Sequence, residues 1–378
     1  MSPSTVSSPG PASIHVGVLT GGGDCPGLNA VIRAVTQSLI RDAGARVTGI
    51  ERGFLGLIER RVQPLDSHAV SGILHQGGTI LGAHNAADPF HWPGNERGGD
   101  VSADVLAYAR ELGLDALVVI GGDGTMRIAH RFQQLGLPVV GVPKTIDNDL
   151  LHTERSFGFD SAVAVVAEAL QRLETTARSH RRVMVLETMG RYAGWIALEG
   201  GLAGGADAIL LPELPYDLQA IATLCHEREA EAGFTLICIA EGAHPAGGAM
   251  TVQAHLAHSP DPVRLGGVGE ALRAQLQPLL ASEVRSTQLG HVQRGGQPTA
   301  FDRVLSTRFG CHAAEMVARR EFGRMVVLRG DACTSVPLSE VAGGSRRVPP
   351  DHPLLRAAAS LGISLGRPCG AAPSSATP

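Results

Sequence analysis

Ala116-Leu117-Val118-Val119-Ile120-Gly121-Gly122-Asp123-Gly124-Thr125 decides how this chain folds. A short, continuously apolar run with three β-branched residues in succession reads as a strand buried on both faces, the kind found in parallel sheets. A glycine turn ends it, and a helical pattern over 126–135 follows. The next apolar run, Val139-Val140-Gly141-Val142, ends in Pro143-Lys144-Thr145-Ile146-Asp147-Asn148-Asp149. Upstream, residues 15–20 read as a first strand that ends in Gly21-Gly22-Gly23-Asp24-Cys25-Pro26-Gly27, ahead of a helix over 28–43. A strand over 47–50 and a helix over 102–112 fill the interval.

The pattern repeats downstream. A helix over 160–178 precedes a strand over 182–187, the turn Met189-Gly190-Arg191, a helix near 192–203 and a strand over 208–211. A helix over 217–232 and a strand over 235–240, closed by Glu241-Gly242, come next. A helix over 265–280 leads to Arg285 and to Leu289-Gly290-His291-Val292-Gln293-Arg294-Gly295-Gly296, then a helix over 300–320 and a strand over 325–329. Strands alternating with helices imply parallel, doubly wound sheets. The expected fold is α/β, with two doubly wound domains of mainly parallel sheet. Residues 82–100 read as an irregular loop. Residues 1–13 and the stretch from about 367 read as disordered tails.

Composition agrees and excludes several classes. The chain of 378 residues has room for two medium domains. Only 4% of residues are aromatic while 48 are glycine, which favours strand–turn–helix units over an aromatic-rich sandwich. A net charge of −4 argues against bulk attraction to nucleic acid or a membrane surface. No apolar stretch approaches spanning length, and the start lacks the basic and apolar regions of a signal peptide. The expectation is a cytoplasmic protein. None of the six cysteines forms a Cys-x-x-Cys pair, so the common zinc and dithiol patterns are absent. Cys25 fits a small residue at a tight turn.

The chemistry gathers at the strand-end loops. Gly21-Gly22-Gly23-Asp24 does not fit the dinucleotide fingerprint or the P-loop, which lowers the case for a dehydrogenase or a P-loop ATPase. Asp123 could serve as a helix cap, but three surrounding glycines are superfluous for a cap. They make sense where phosphate oxygens pass close over the backbone. Asp147 and Asp149 flank Asn148 beside Lys144 and Thr145, and a carboxylate near an alcohol is the general base that phosphoryl transfer requires. Arg182, Arg191, Arg285, His291 and Arg294 form a second, basic group. Arginine forks match phosphate oxygens, which points to a substrate carrying its own phosphate.

Gly-Gly-Asp-Gly-Thr at 121–125, Pro-Lys-Thr-Ile-Asp-Asn-Asp at 143–149, Met-Gly-Arg at 189–191, Ala-Glu-Gly at 240–242 and Leu-Gly-His-Val-Gln-Arg-Gly-Gly at 289–296 together resemble the phosphofructokinase family. The resemblance covers about 15–345. It implies transfer of the γ-phosphoryl group of ATP to the 1-hydroxyl of fructose 6-phosphate with Mg2+. Asp147 would be the base, assisted by Lys144 and Gly124. Gly22, Gly122, Asp123, Gly124 and Thr125 would hold the donor, with Asp123 serving the metal. Thr145, Ile146, Met189, Gly190, Arg191, Glu241, His291, Val292, Gln293 and Arg294 would hold the sugar phosphate, Arg294 gripping the 6-phosphate. Arg182 and Arg285 would reach the site of a neighbouring subunit, so a homo-oligomer, dimer or tetramer, is implied.

The donor signature is mixed. Gly124 resembles members using ATP, and Lys144 resembles members using pyrophosphate, as in an actinobacterial-type group that includes both. The steric argument at Gly124 favours ATP; a pyrophosphate enzyme and a non-catalytic sugar-phosphate-binding paralogue are the alternatives. Asn85 stands near the place of an expected arginine. The resemblance divides the chain into a donor domain, 14–158 with about 295–345, a sugar-phosphate domain, 159–294, and a partly disordered extension, 346–378.

Overall fold

The computed structural model describes residues 13–93, 99–255 and 263–368. The parts of the two tail readings and of the 82–100 loop that fall elsewhere lie outside the described residues. In chain order the elements are β1 (His15–Thr20), α1 (Leu28–Ala43), β2 (Arg46–Ile50), α2 (Phe54–Ile58), β3 (Val62–Leu65), α3 (Ser102–Glu111), β4 (Ala116–Gly121), α4 (Asp123–Gln134) and β5 (Val139–Pro143). Then come α5 (Phe159–His180), β6 (Val183–Thr188), α6 (Trp195–Gly204), β7 (Ala208–Leu210), α7 (Leu218–Glu231), β8 (Thr235–Ala240), β9 (Val252–His255), β10 (Val263–Leu265) and α8 (Val268–Leu276). The last are β11 (Val284–Gln288), α9 (Ala300–Ala318), β12 (Arg324–Arg329), β13 (Ala332–Pro337), α10 (Leu338–Val341) and α11 (Pro353–Ser360).

The larger sheet has seven strands in the order β13-β12-β5-β4-β1-β2-β3. All its pairings are parallel except β2–β3 and β12–β13 at the two edges. Side chains alternate across a strand, so one sequence feeds two cores. Val16, Val18, Val118, Ile120, Val140 and Val142 pack under α1, α5 and α9. Leu19, Leu117, Val119 and Val139 pack against α2, α3, α4 and α10 on the other face. The smaller sheet, β11-β6-β8-β7, is wholly parallel. Its Leu186, Ile209, Cys238 and Ala240 join the first core through α5 and α6, and its far face packs against α7 and α8.

β1 leads outward to β2, whereas β4 returns to the other side of β1 and leads to β5. The order therefore reverses between β1 and β4, and the crevice outside their carboxyl ends is where a ligand binds in such a sheet. The carboxyl ends of β6 and β8 face the same space.

Several elements differ from the sequence reading. The helix expected from 126 begins at Asp123, inside the glycine motif. The helix expected over 265–280 is shorter, Val268–Leu276, followed by a single 3-10 turn at Gln277–Leu279 that accommodates Pro278. Arg285 lies within β11, which carries too few apolar residues to be read as a strand. The extension from 346 contains α11, and Ser364 continues the small sheet: Ile209 N–H donates to Ser364 O at 2.8 Å and Ser364 N–H to Asp207 O at 2.9 Å. These bonds cover the free edge of β7.

α1 and α9 approach closely because Gly310 has no side chain. A Cβ there would lie 2.6 Å from Ala34 Cβ and 2.9 Å from Val31 O. Gly310→Val is expected to destabilise the fold by about 1–3 kcal/mol through overpacking. Urea denaturation would measure it, and a loss below about 0.5 kcal/mol would contradict this packing.

Candidate active site

Three strand-end loops of the larger sheet build one wall. Gly21 follows β1 and is pinned by its N–H to Ile120 O at 2.8 Å, which aligns the first and second glycine turns. Gly22 adopts φ +74°, and a Cβ there would stand 3.4 Å from Lys144 Nζ. Thr125 is buried beneath Gly21 and Gly121, both of which lie too close to it to carry a side chain. The first intrahelical bond of α4 runs from Met126 N–H to Gly122 O. The amides of Asp123, Gly124 and Thr125 precede it and are aimed out of the helix start, a natural seat for an anion. A Cβ at Gly124 would meet nothing within 4 Å, so that position opens onto free space.

The loop after β5 carries the acids. Lys144 is buried, and its ammonium donates to Gly23 O at 2.5 Å. Burial pulls its pKa down. Thr145 Oγ1 accepts from Asp147 N–H at 3.1 Å and donates to Asp149 Oδ1 at 3.0 Å. Asn148 between them takes φ +51°, with its side chain held by Ser156 N–H at 3.0 Å and Glu154 O at 3.3 Å. That left-handed residue turns the chain so that both flanking carboxylates line one cleft. Asp147 keeps some exposed surface at the mouth of the cleft, but its Oδ1 is buried and has no hydrogen-bond partner.

A cleft of about 440 Å³ is lined by Asp123, Arg127, Asp147 and Asp149 on one side, Arg191, Tyr192 and Ala193 on another, and Gly343–Ser345 on a third. The second side comes from the smaller sheet. Glu241 N–H bonds Thr188 O at 2.9 Å and Gly242 N–H bonds Gly190 O at 3.2 Å, which ties the end of β8 to the loop after β6. Any Cβ at Gly242 would strike Arg191 O, so only glycine allows this contact.

Burial, then the Asp149 charge, push Asp147 up to about 6, while Arg294 and Lys144 oppose the rise. Burial and the charges of Asp147 and Glu187 push Glu241 up to about 7. Asp147, Asp149 and Glu241 thus form one buried acidic group, with Arg191, Arg294 and Lys144 as its counter-charges.

Not every residue expected at the site reaches it. Ile146 and Gln293 are buried. Gln293 spends its amide on Met189 N–H at 3.3 Å and Gly290 O at 3.0 Å, and so holds the Met189-Gly190-Arg191 turn in place. His291 and Val292 are exposed on the 3-10 turn Gly290–Arg294. Arg294 lies against the first glycine loop, donating to Asp24 O at 3.3 Å, and its charge opposes the rise of Asp147. Arg182 and Arg285 both pair with Glu283 at the starts of β6 and β11, the far end of that sheet from the cleft. Asn85 stands beside Gly23, its Oδ1 3.8 Å from where a Cβ would be. Sequence reasoning missed Arg127, Tyr192, Ala193 and the 343–345 wall. The Gly343-Gly344-Ser345-Arg346-Arg347 run was a signal for the last, since glycines beside arginines past the final strand are unusual for a plain linker.

Among the described residues no group of three or more His, Cys, Asp or Glu side chains could cage a metal. A cation that keeps its waters and needs only one or two carboxylates plus substrate phosphates still fits. Asp123 faces the cleft, its Oδ2 2.5 Å from Arg127 and its Oδ1 accepting from Gly343 N–H at 3.1 Å. Its charge helps to raise Asp149, and Asp147 Oδ1 has no hydrogen-bond partner, so carboxylate oxygens remain available in the cleft to a hydrated divalent ion.

Two facing α/β sheets that bring an anion-binding helix start against a buried acid turn define a phosphoryl-transfer architecture. The chain belongs to the phosphofructokinase family: the family pattern "Phosphofructokinase" matches residues 15–317. It is 50% identical over 357 residues to "ATP-dependent 6-phosphofructokinase 2" of Clostridium perfringens, covering 92% of this chain and 97% of that protein. It is 48% identical over 338 residues to a "Pyrophosphate--fructose 6-phosphate 1-phosphotransferase" of Streptomyces coelicolor, covering 89% and 97%. The crystal structure of a pyrophosphate-dependent phosphofructokinase from Marinobacter aquaeolei superposes with a TM-score of 0.77 over 93% of this chain and 88% of that one. At 21% identity, that likeness concerns the fold alone.

Because the folded pKa of Asp147 is raised from 3.8 to about 6, the folded protein holds a proton that the unfolded chain has lost in that window. Ionising Asp147 therefore costs stability as pH rises through it. Asp147→Asn is expected to lower kcat by about 10²–10⁴-fold while leaving the unfolding midpoint at pH 7.5 unchanged or higher. Steady-state rates and thermal melts check this; a lower midpoint with normal kcat would contradict it. The acid limb of kcat/KM is expected near pH 6 and belongs to the Asp147–Asp149 pair.

Proposed function

We propose that the protein is an ATP-dependent 6-phosphofructokinase that moves the γ-phosphoryl group of ATP to the 1-hydroxyl of fructose 6-phosphate. The observation that carries this reading is Asp147 Oδ1: buried, unpartnered, and set between the start of α4 and the Arg191–Glu241 side of the cleft. There it accepts the hydroxyl proton as the sugar oxygen bonds to phosphorus and the bond to the departing ADP oxygen breaks. The amides of Gly122 to Thr125 and the Gly22 turn hold the donor. Asp123 would hold Mg2+, which would neutralise the donor oxygens when bound. Lys144 supplies a fixed positive charge under the first loop, in place of the arginine that Asn85 replaces.

The acceptor is assigned to Thr145, Met189, Gly190, Arg191, Glu241 and His291. Arg294 serves its 6-phosphate, which requires the guanidinium to leave Asp24 O, a single long bond at 3.3 Å. Arg182 and Arg285 are proposed to complete the site of an adjoining subunit in a homo-oligomer, since within one chain they sit at the wrong end of the sheet. Residues 14–158 with about 295–345 would form the donor lobe and 159–294 the sugar-phosphate lobe. No helix among the described residues is long and apolar enough to cross a membrane.

Pyrophosphate as donor is the second reading, favoured by Lys144 and by the name of the Streptomyces coelicolor relative. Donor kinetics on the purified enzyme decide. ATP is expected to exceed pyrophosphate in kcat/KM, and the reverse order would overturn the assignment. Gly124→Asp is expected to lower kcat/KM for ATP by about 10²-fold or more, since it fills the open space at the start of α4 with a charge. Lys144→Gly is expected to lower kcat by about 10²-fold, and a near-normal rate would remove Lys144 from the mechanism.

A further inference from the structure

The acid turn is held from behind by a residue that belongs to none of the strand-end loops. Arg346 lies on the segment that crosses from the larger sheet to the smaller after α10. Its Nη2 and Nε donate to Asn148 O at 2.9 and 3.2 Å, and Nη2 also donates to Glu154 O at 3.0 Å. Its own N–H donates to Asp149 O at 2.6 Å. The guanidinium lies over the Trp195 ring, 4.3 Å from its centroid, and Trp195 Nε1–H donates to Arg346 O at 2.8 Å. Trp195 opens α6, directly after the Arg191-Tyr192-Ala193 side of the cleft.

Val348, two residues on, donates its N–H to Glu213 Oε1 at 2.9 Å, and the same carboxylate accepts Gly194 N–H at 3.0 Å. Three residues earlier, Gly343 N–H reaches Asp123 Oδ1. The segment 343–348 therefore touches the metal-side acid, the acid turn and the start of α6 in succession.

We propose that Arg346 is a positioning residue for Asp147. Asn148, the left-handed residue between the two acids, tolerates φ > 0 better than most side chains, but its peptide orientation is held through its carbonyl by the charged fork, and losing that fork frees the peptide to tilt. Arg346 holds that peptide and, by stacking on Trp195, fixes its distance from the Arg191 side of the cleft. It touches no substrate atom. It sets the angle from which Asp147 meets the acceptor hydroxyl, and so acts on kcat rather than on binding.

This inference rests on the kinase reading for its kinetic test but not for its structural one. Arg346→Ala is expected to lower kcat about 10–10²-fold while KM for fructose 6-phosphate and for ATP stays within about threefold. Arg346→Lys, which keeps the charge without the planar fork, is expected to fall between the two. Arg347→Ala, an exposed neighbour, serves as the control and is expected to match the unaltered protein. Hydrogen exchange on the substrate-free proteins is expected to quicken over residues 145–156 in Arg346→Ala and to stay unchanged in α1 and α9.

A kcat within twofold of normal, or faster exchange spread through both sheets, would overturn the proposal. If Arg346→Ala does not fold, Trp195→Phe carries the test, with a smaller kcat loss and the same local exchange expected and an unchanged 145–156 exchange overturning it. If the unaltered protein phosphorylates fructose 6-phosphate with neither donor, the kinase reading falls, while the exchange result still decides whether Arg346 holds the turn.

Discussion

Two carboxylates one residue apart cannot both be charged in an enclosed turn unless cations stand around them. Asp147 and Asp149 impose that constraint on the whole molecule. Burial raises the cost of ionising both, the Asp149 charge adds to it at Asp147, and the Asp123 charge adds to it at Asp149. The offsetting charges come from separate places. Lys144 belongs to the larger sheet's own loop, Arg294 arrives on the turn after β11 of the smaller sheet, and Arg346 comes from the late crossing segment. Removing one partner from such a group leaves a buried charge uncompensated. The acid turn is therefore complete only when the two sheets already face each other, and site formation is tied to the long-range fold rather than to the local motif.

The same geometry separates holding from reacting. The backbone of the turn is held at several points: Asn148 is bonded through its side chain to Ser156 and Glu154 and through its carbonyl to Arg346. The proposed reacting atom is left out of that network, since Asp147 Oδ1 has no partner. A rigid frame with one unspent acceptor is what a general base requires, because preorganisation helps only if the acceptor is not already satisfied.

Much of this was legible in the sequence. β1 and β8 stand at their expected bounds because continuous apolar runs ending at loops admit few other structures, and α1 because its apolar residues recur at helical spacing between Gly27 and Gly44. β11 was not legible: Val284-Arg285-Ser286-Thr287-Gln288 pairs with β6 as an edge strand with much of its surface exposed, so it carries no apolar signature. The motif loops announced Asp123, Asp147, Arg191 and Glu241 because their chemistry is local. Gln293 sits inside a motif but works through the backbone of Met189, which no residue-type argument reveals. The third wall of the cleft, at Gly343–Ser345, joins Asp123 across 220 residues; its glycine- and arginine-rich run marks the segment as unusual, but which acid it meets depends on how the crossing segment returns.

The conflicting donor signals at Gly124 and Lys144 concern two different places. Gly124 opens onto empty space at the start of α4, where on the proposed reading a longer donor would extend. Lys144 is buried on the inner side, its ammonium turned to Gly23 O and close under Gly22. On the proposed reading, a charge there would meet the phosphate nearest the acid turn, which ATP and pyrophosphate would both present. It neither fills the outer space nor distinguishes what lies beyond the second phosphate. A buried lysine with its pKa drawn down also gains from an arriving anion, since the anion restores the charged form that burial penalises. On that reading Lys144 is compatible with either donor, and Gly124 is the position at which the two would be told apart.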